Sequence, residues 1–178
     1  MKTIYSFAIF LSLLVVGCNT EPTLQKYFVE NTENKDFIVL DVSPSILNLD
    51  KAKLSAEENG ALESFDKMNV LAFKLDETNK VLFETERAKI NLILKGKKYQ
   101  QLMKYGSGSA GASVSYVGSD EHIDEFVLFA NSKDAGFAVV RVLGDDMNPN
   151  NIMTLMSVLK KSNIDMEQLK PLQEMFKK

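Results

Sequence analysis

One histidine, one cysteine and a few clustered carboxylates carry most of the chemistry open to this 178-residue chain. His122 stands in the run Asp120-Glu121-His122-Ile123-Asp124-Glu125. In an extended segment alternate side chains share a face, so Asp120, His122 and Asp124 would converge as metal ligands do. These three are the candidate metal or hydrolytic residues. The same run equally suits a solvated hairpin turn, where charges need no further reason. Asp146-x-Asn148-x-Asn150 imitates the opening of a calcium loop. Its sixth position is Asn151 and its twelfth is Ser157, which removes the tight turn and the bidentate ligand. Gly106-Ser107-Gly108-Ser109-Ala110-Gly111 matches G-x-G-x-x-G, but phosphate binding needs a helix N-terminus directly after it. The residues that follow, Ala112 to Tyr116, alternate as a strand, so a hairpin loop is expected. Ser43 before Pro44 is read as a cap rather than a nucleophile. Met147, Met153, Met156, Met166 and Met175 offer an adaptable apolar surface whose helical part is read as core. No catalytic residue, metal or cofactor is assigned.

Cys18 has a clearer chemical role. Lys2 precedes an apolar run from Ile4 to Val16, broken only by Tyr5, Ser6 and Ser12. A helix of that length rises about 20 Å, short of the roughly 30 Å hydrocarbon core, and suits an export signal. The run ends in Val15-Val16-Gly17-Cys18, which resembles the bacterial lipobox. That resemblance implies cleavage between Gly17 and Cys18, a diacylglyceryl group on the Cys18 sulfur and an acyl chain on its new amino group. Cys18 is the only cysteine, so no intramolecular disulfide forms, and lipidation removes the one free thiol. One acyl chain binds a bilayer only marginally, whereas two or three give lasting attachment.

Composition is that of an ordinary globular chain, 45% hydrophobic and 25% charged. The net charge of -3 becomes -4 when Lys2 is lost with the signal. No basic block is present to neutralise a run of phosphates, which argues against nucleic acid as a partner. Residues 1–17 are read as the signal, 18–26 as a tether, 27–162 as one folded domain and 163–178 as a helical extension.

Within the domain, Phe37 to Val42 suits a buried strand. Ser43 as cap and Pro44 in the first turn predict a short helix over residues 44–49. Ser55 with Glu58 forms a capping-box pattern opening a helix to about Lys67 that buries Leu62 and Phe65. Val70 to Asp76 alternates as a half-exposed strand. Residues 79–95 read as a helix with Leu82, Phe83, Ile90, Ile93 and Leu94 on one face, interrupted by Glu86 and Arg87. Four strand-like runs follow, Leu102–Tyr105, Ala112–Val117, Ile123–Asn131 and Phe137–Leu143, and their short connections predict an antiparallel meander. Asn148 and Pro149 open a last helix with Ile152, Leu155, Met156 and Leu159 in phase. The expected fold class is α+β, a largely antiparallel sheet with a β-meander in its C-terminal half and helices packed on one face.

Several phrases in order resemble domain-of-unknown-function family 4252, lipoproteins of Bacteroidetes. They are Phe37-Ile38-Val39-Leu40-Asp41-Val42-Ser43-Pro44-Ser45, Tyr99 to Met103, Ile123 to Leu128 and Phe137 to Gly144. The resemblance runs over about residues 27–160 and implies a compartment and an architecture, with no activity attached. The expectation is a lipid-anchored, non-enzymatic binding module of the envelope, held in the outer membrane and facing the periplasm. Its partners would be the bilayer, through the Cys18 acyl chains, and an envelope protein. The alternative is an envelope hydrolase using carboxylates or a metal near Asp120, His122 and Asp124.

Overall fold

The computed structural model describes residues 21–47, 53–107, 110–161 and 170. The chain opens on α1 (Leu24–Asn31), where Thr23 caps the first turn by accepting the Lys26 N–H at 3.2 Å. Leu24, Tyr27, Phe28 and Asn31 recur at i, i+3, i+4 and i+7, and all four are buried. The segment read as a tether to residue 26 is therefore already helical from Leu24, whose side chain is fully enclosed. The polar run around Pro22 masks this start; the cap at Thr23 and the helical spacing after it reveal it.

Next comes β1 (Phe37–Val42). The short helix expected after it is a 3-10 turn (Pro44–Leu47), and the last two residues of that expectation lie outside the described ones. Then follow α2 (Ala56–Glu63) and β2 (Phe65–Lys74). The capping box forms as its pattern predicts: Ser55 Oγ accepts the Glu58 N–H at 3.1 Å and Glu58 Oε2 accepts the Ser55 N–H at 3.0 Å. However, α2 stops at Glu63 instead of Lys67, and Phe65 is buried from the first position of β2. Then α3 (Lys80–Leu94) leads into the meander β3 (Gln100–Ser107), β4 (Ala110–Gly118), β5 (Ile123–Ser132) and β6 (Gly136–Met147). The last described helix is α4 (Pro149–Lys161), opened by Asn148 Oδ1 accepting the Asn151 N–H at 3.1 Å.

The six strands form one open antiparallel sheet in the order β1-β2-β6-β5-β4-β3. The α+β class and the meander are as the sequence predicts. The helices are distributed differently from the single face expected. Leu71 and Phe73 of β2 pack with Tyr27, Phe28, Phe83 and Ile90, under α1 and α3. Val70, which points the other way, packs with Ala61, Leu62 and Val158, under α2 and α4. So β2 is covered on both sides, and Val70, Leu71, Ala72 and Phe73 are each at most 5% exposed. Apolar residues on both phases are the mark of a doubly covered strand, and the run Val70-Leu71-Ala72-Phe73 carries it. The aromatic centre lies on the α1/α3 face, where Phe73 stacks on Phe137 at 5.3 Å and meets Phe37 edge-on at 5.2 Å.

Gly136, at the turn from β5 into β6, is required by its surroundings. Its φ is +117°, and a Cβ there would stand 1.9 Å from the Phe73 carbonyl oxygen.

Candidate functional site

The β4–β5 connection is a tight turn, and this decides the fate of the candidate triad. Ser119 N–H donates to the His122 carbonyl at 2.9 Å, and Ser119 Oγ accepts the His122 N–H at 3.2 Å. Asp120 and His122 thus lie across a turn, not along a strand, and the shared face that an extended segment would create does not form. Asp120 accepts from the Tyr116 hydroxyl, holding that phenol protonated above its ordinary range. His122 Nδ1 pairs with the Asp146 carboxylate, 24 residues away. That hydrogen bond, and then the carboxylate's charge, raise the imidazole above its usual value. Asp124 is exposed on β5. Among the described residues no three His, Cys, Asp or Glu side chains gather as a metal site requires.

The other motifs resolve in the same local way. The glycine-rich run is the β3–β4 hairpin, with Gly106 opposite Gly111 and Ser107 opposite Ala110; Gly108 and Ser109 lie outside the described residues. Gly106 sits at φ +71°, and the strand that follows supplies no helix N-terminus. Asp146 takes a left-handed conformation, φ +57°, where β6 bends towards α4 and turns its carboxylate to His122. Ser43 Oγ accepts the Ser45 N–H at 3.2 Å, as a cap. Met147 is fully buried with Ile123 and Phe126, whereas Met153 is 68% exposed. The Met156 side chain, Met166, Met175, the C-terminal extension and Cys18 with the whole signal lie outside the described residues.

The densest polar site is one the motifs do not announce. Arg141 and Glu125 are both buried between the sheet and α1, joined at 2.7 Å through Arg141 Nε. A second guanidinium nitrogen donates to Gln25 Oε1 on α1 at 2.7 Å, and the cation lies 5.4 Å from the Phe28 ring centre. Lys98 Nζ reaches to 4.0 Å from Glu125 Oε2, and the Tyr99 hydroxyl accepts the Leu24 N–H at 3.3 Å. Burial, followed by the Glu125 charge, pushes the Tyr99 phenol up. A parallel contact fixes α1 to α3: Tyr27 donates to Glu86 at 2.7 Å, and Glu86 also pairs with Lys89 at 2.7 Å. Burial is the main cause that holds the Tyr27 proton in place, ahead of Glu86 itself. Glu86, which interrupts the apolar stripe of α3, is thus buried and partnered. One signal was available for the first pair: Arg141 is in phase with Phe137 and Val139, and Glu125 with Val127 and Phe129, on faces that must point inward. These contacts clamp α1 to the sheet and to α3.

The open surface lies on the other side of the sheet. Register aligns Met103, Val114, Leu128, Val140, Val70 and Leu40 in one row across all six strands. The next row is Tyr105, Ala112, Ala130, Ala138, Ala72 and Ile38. At the β1–β2–β6 end this face packs under α2 and α4. Towards the β3 edge it opens, with Tyr105 80%, Met103 61% and Leu128 37% exposed, and Ala112 and Ala130 exposed between them.

These features define an α+β domain built on a single open antiparallel sheet, with a buried ion-pair clamp and an uncovered apolar strip. The chain belongs to the family of a domain of unknown function, DUF4252, whose model matches residues 27–155. No curated protein and no solved structure matches it.

Proposed function

We propose that this protein is a lipid-anchored lipoprotein of the bacterial envelope whose α+β domain is a non-catalytic binding module. One observation carries the anchor: the apolar run from Ile4 stops at Val15-Val16-Gly17-Cys18, with the only cysteine directly after a small residue. The domain begins at Leu24, so it hangs close to that cysteine. The binding role is supported by the strip from Tyr105 and Met103 to Leu128, which exposes large apolar side chains at a sheet edge. A protein partner in the periplasm, docking an apolar surface of its own, is the occupant this chemistry suits. The residues past Cys18 lack an acidic run, which favours an outer-membrane position facing inward.

Expression in a bacterial host with labelled fatty acid tests the anchor. Cys18→Ala is expected to abolish the label and leave an uncleaved or soluble precursor. Unchanged processing and membrane association would overturn the reading. Cross-linking in intact cells, followed by purification, tests the module; its expected product is a discrete protein adduct.

A further inference from the structure

We infer that the turn between α3 and β3 is a lipid-headgroup contact, in which Lys95, Lys97 and Lys98 rest on an anionic bilayer surface with Leu92 beside them. The inference rests on the Cys18 anchor proposed above and adds the orientation of the domain.

Position comes first. Leu24 N–H meets the Tyr99 hydroxyl at 3.3 Å, so the start of α1 and the end of this turn are neighbours. Five residue steps separate Cys18 from the cap Thr23, and an extended chain covers at most about 18 Å in that distance. An acylated Cys18 sits at headgroup level, which keeps the turn within reach of the membrane. The charge of this turn differs from that of the whole chain. Residues 92–101 hold three lysines and no acid, in a chain of net charge -3. All three lysines are exposed.

The acids nearest the start of α1 are mostly paired, while those of the β4–β5 turn, Asp120 and Glu121, stand across from the start of β3, where Gln100 donates to the Gly118 carbonyl at 2.8 Å and Asp120 accepts from Tyr116. Glu86 and Glu125 are buried and paired, with Lys89 and Arg141 respectively, and Glu30 pairs with Lys26 at 3.8 Å. Lys98 lies 4.0 Å from Glu125 yet keeps about half of its side chain exposed. Glu21 is the one exposed acid near the cap without such an engagement among those described. Leu92 adds an apolar side chain, 65% exposed, and lines a cleft together with Pro22 and Thr23. Lysines beside an exposed leucine match a surface of anionic headgroups over acyl chains. Screening limits such attraction to about 8 Å at physiological salt, so it acts only on a surface that the turn touches. The acyl chains hold the protein on the membrane, and the lysines select which side of the domain lies against it.

The test uses the mature, lipidated full chain in vesicles of phosphatidylcholine, with and without phosphatidylglycerol. Intact mass first establishes the acyl chains on Cys18. Amine acetylation is then followed lysine by lysine by peptide mass spectrometry. Lys95, Lys97 and Lys98 are expected to react several-fold more slowly on the anionic vesicles, with the difference lost at high salt. Lys104 and Lys133, on other parts of the surface, react equally on both. Acylated protein whose three lysines label alike on the two vesicles overturns the headgroup contact alone. An unacylated Cys18 overturns the anchor and this contact together.

Discussion

Arg141 and Glu125 show how much of this fold depends on a pair of charges. Both are about 95% buried, so neither can be removed without stranding the other. Arg141→Met leaves the Glu125 carboxylate enclosed, with Lys98 as its remaining cation at 4.0 Å. The expected loss is about 3–5 kcal/mol, read from urea unfolding. Replacing both, as Glu125→Leu with Arg141→Met, should recover most of that loss, because the desolvation cost disappears along with the attraction. A single variant costing no more than an exposed substitution would mean the pair is not buried in solution. His122 gives a pH signature instead. Its folded value is raised above the ordinary 6.5 by Asp146. The pair's contribution is therefore full below the unfolded value and fades as pH rises through the folded one. Asn tolerates the left-handed backbone at position 146 as Asp does. Asp146→Asn should thus lower the melting temperature near pH 5.5, about one unit below the free imidazole value. Well above neutrality it should leave it unchanged. Equal melting shifts at both pH values would rule out a charge-dependent pair.

At the scale of elements, α1 is the clearest test of what is folded. Leu24 is fully buried, although it lies in a stretch whose composition reads as a tether. Leu24→Ala is expected to cost about 2–5 kcal/mol in chemical unfolding. Lys26→Ala, two residues on and exposed, should stay within about 0.5 kcal/mol. Matching small effects would return this segment to the tether. Other elements are legible because their signals are local. The Ser55–Glu58 box and the Asn148-Pro149 start both form at the predicted residues, since a cap is decided by the few atoms around it. The end of α2 is not local. Nothing at Phe65 forbids another helical turn, and pairing of β2 with β6 decides the boundary instead.

At the scale of the molecule, the turn proposed to meet the membrane and the exposed apolar strip occupy different parts of the surface. The α3–β3 turn stands by the start of α1, while the strip of Met103, Tyr105 and Leu128 lies on the face opposite α1 and α3. Met103→Asp combined with Tyr105→Lys should abolish the cross-linked adduct in cells. Both side chains are exposed, so the melting temperature should move little. Retention of the adduct at wild-type yield would place docking elsewhere. The candidate site was less legible than the fold, for a physical reason. Asp120, His122 and Asp124 are close in sequence, yet the Ser119–His122 turn gives His122 a partner from the far end of β6.

The residues of this chain by themselves determine the class of fold, the meander, most helix starts and the lipobox-like end of the apolar leader. Each depends on periodicity, on a cap or on a short motif, all of which act over a few residues. Only the tertiary structure decides that helices cover both faces, that Glu125 and Arg141 form a clamp on α1, and which apolar strip stays open. Those outcomes follow from the strand order β1-β2-β6-β5-β4-β3, which brings together residues as distant as Gln25 and Arg141. The same distinction holds at Cys18. The motif on which the proposed lipidation rests is four residues long and local, whereas the start of α1 and the lysine-bearing α3–β3 turn are brought together only by the fold, through the contact between Leu24 and Tyr99.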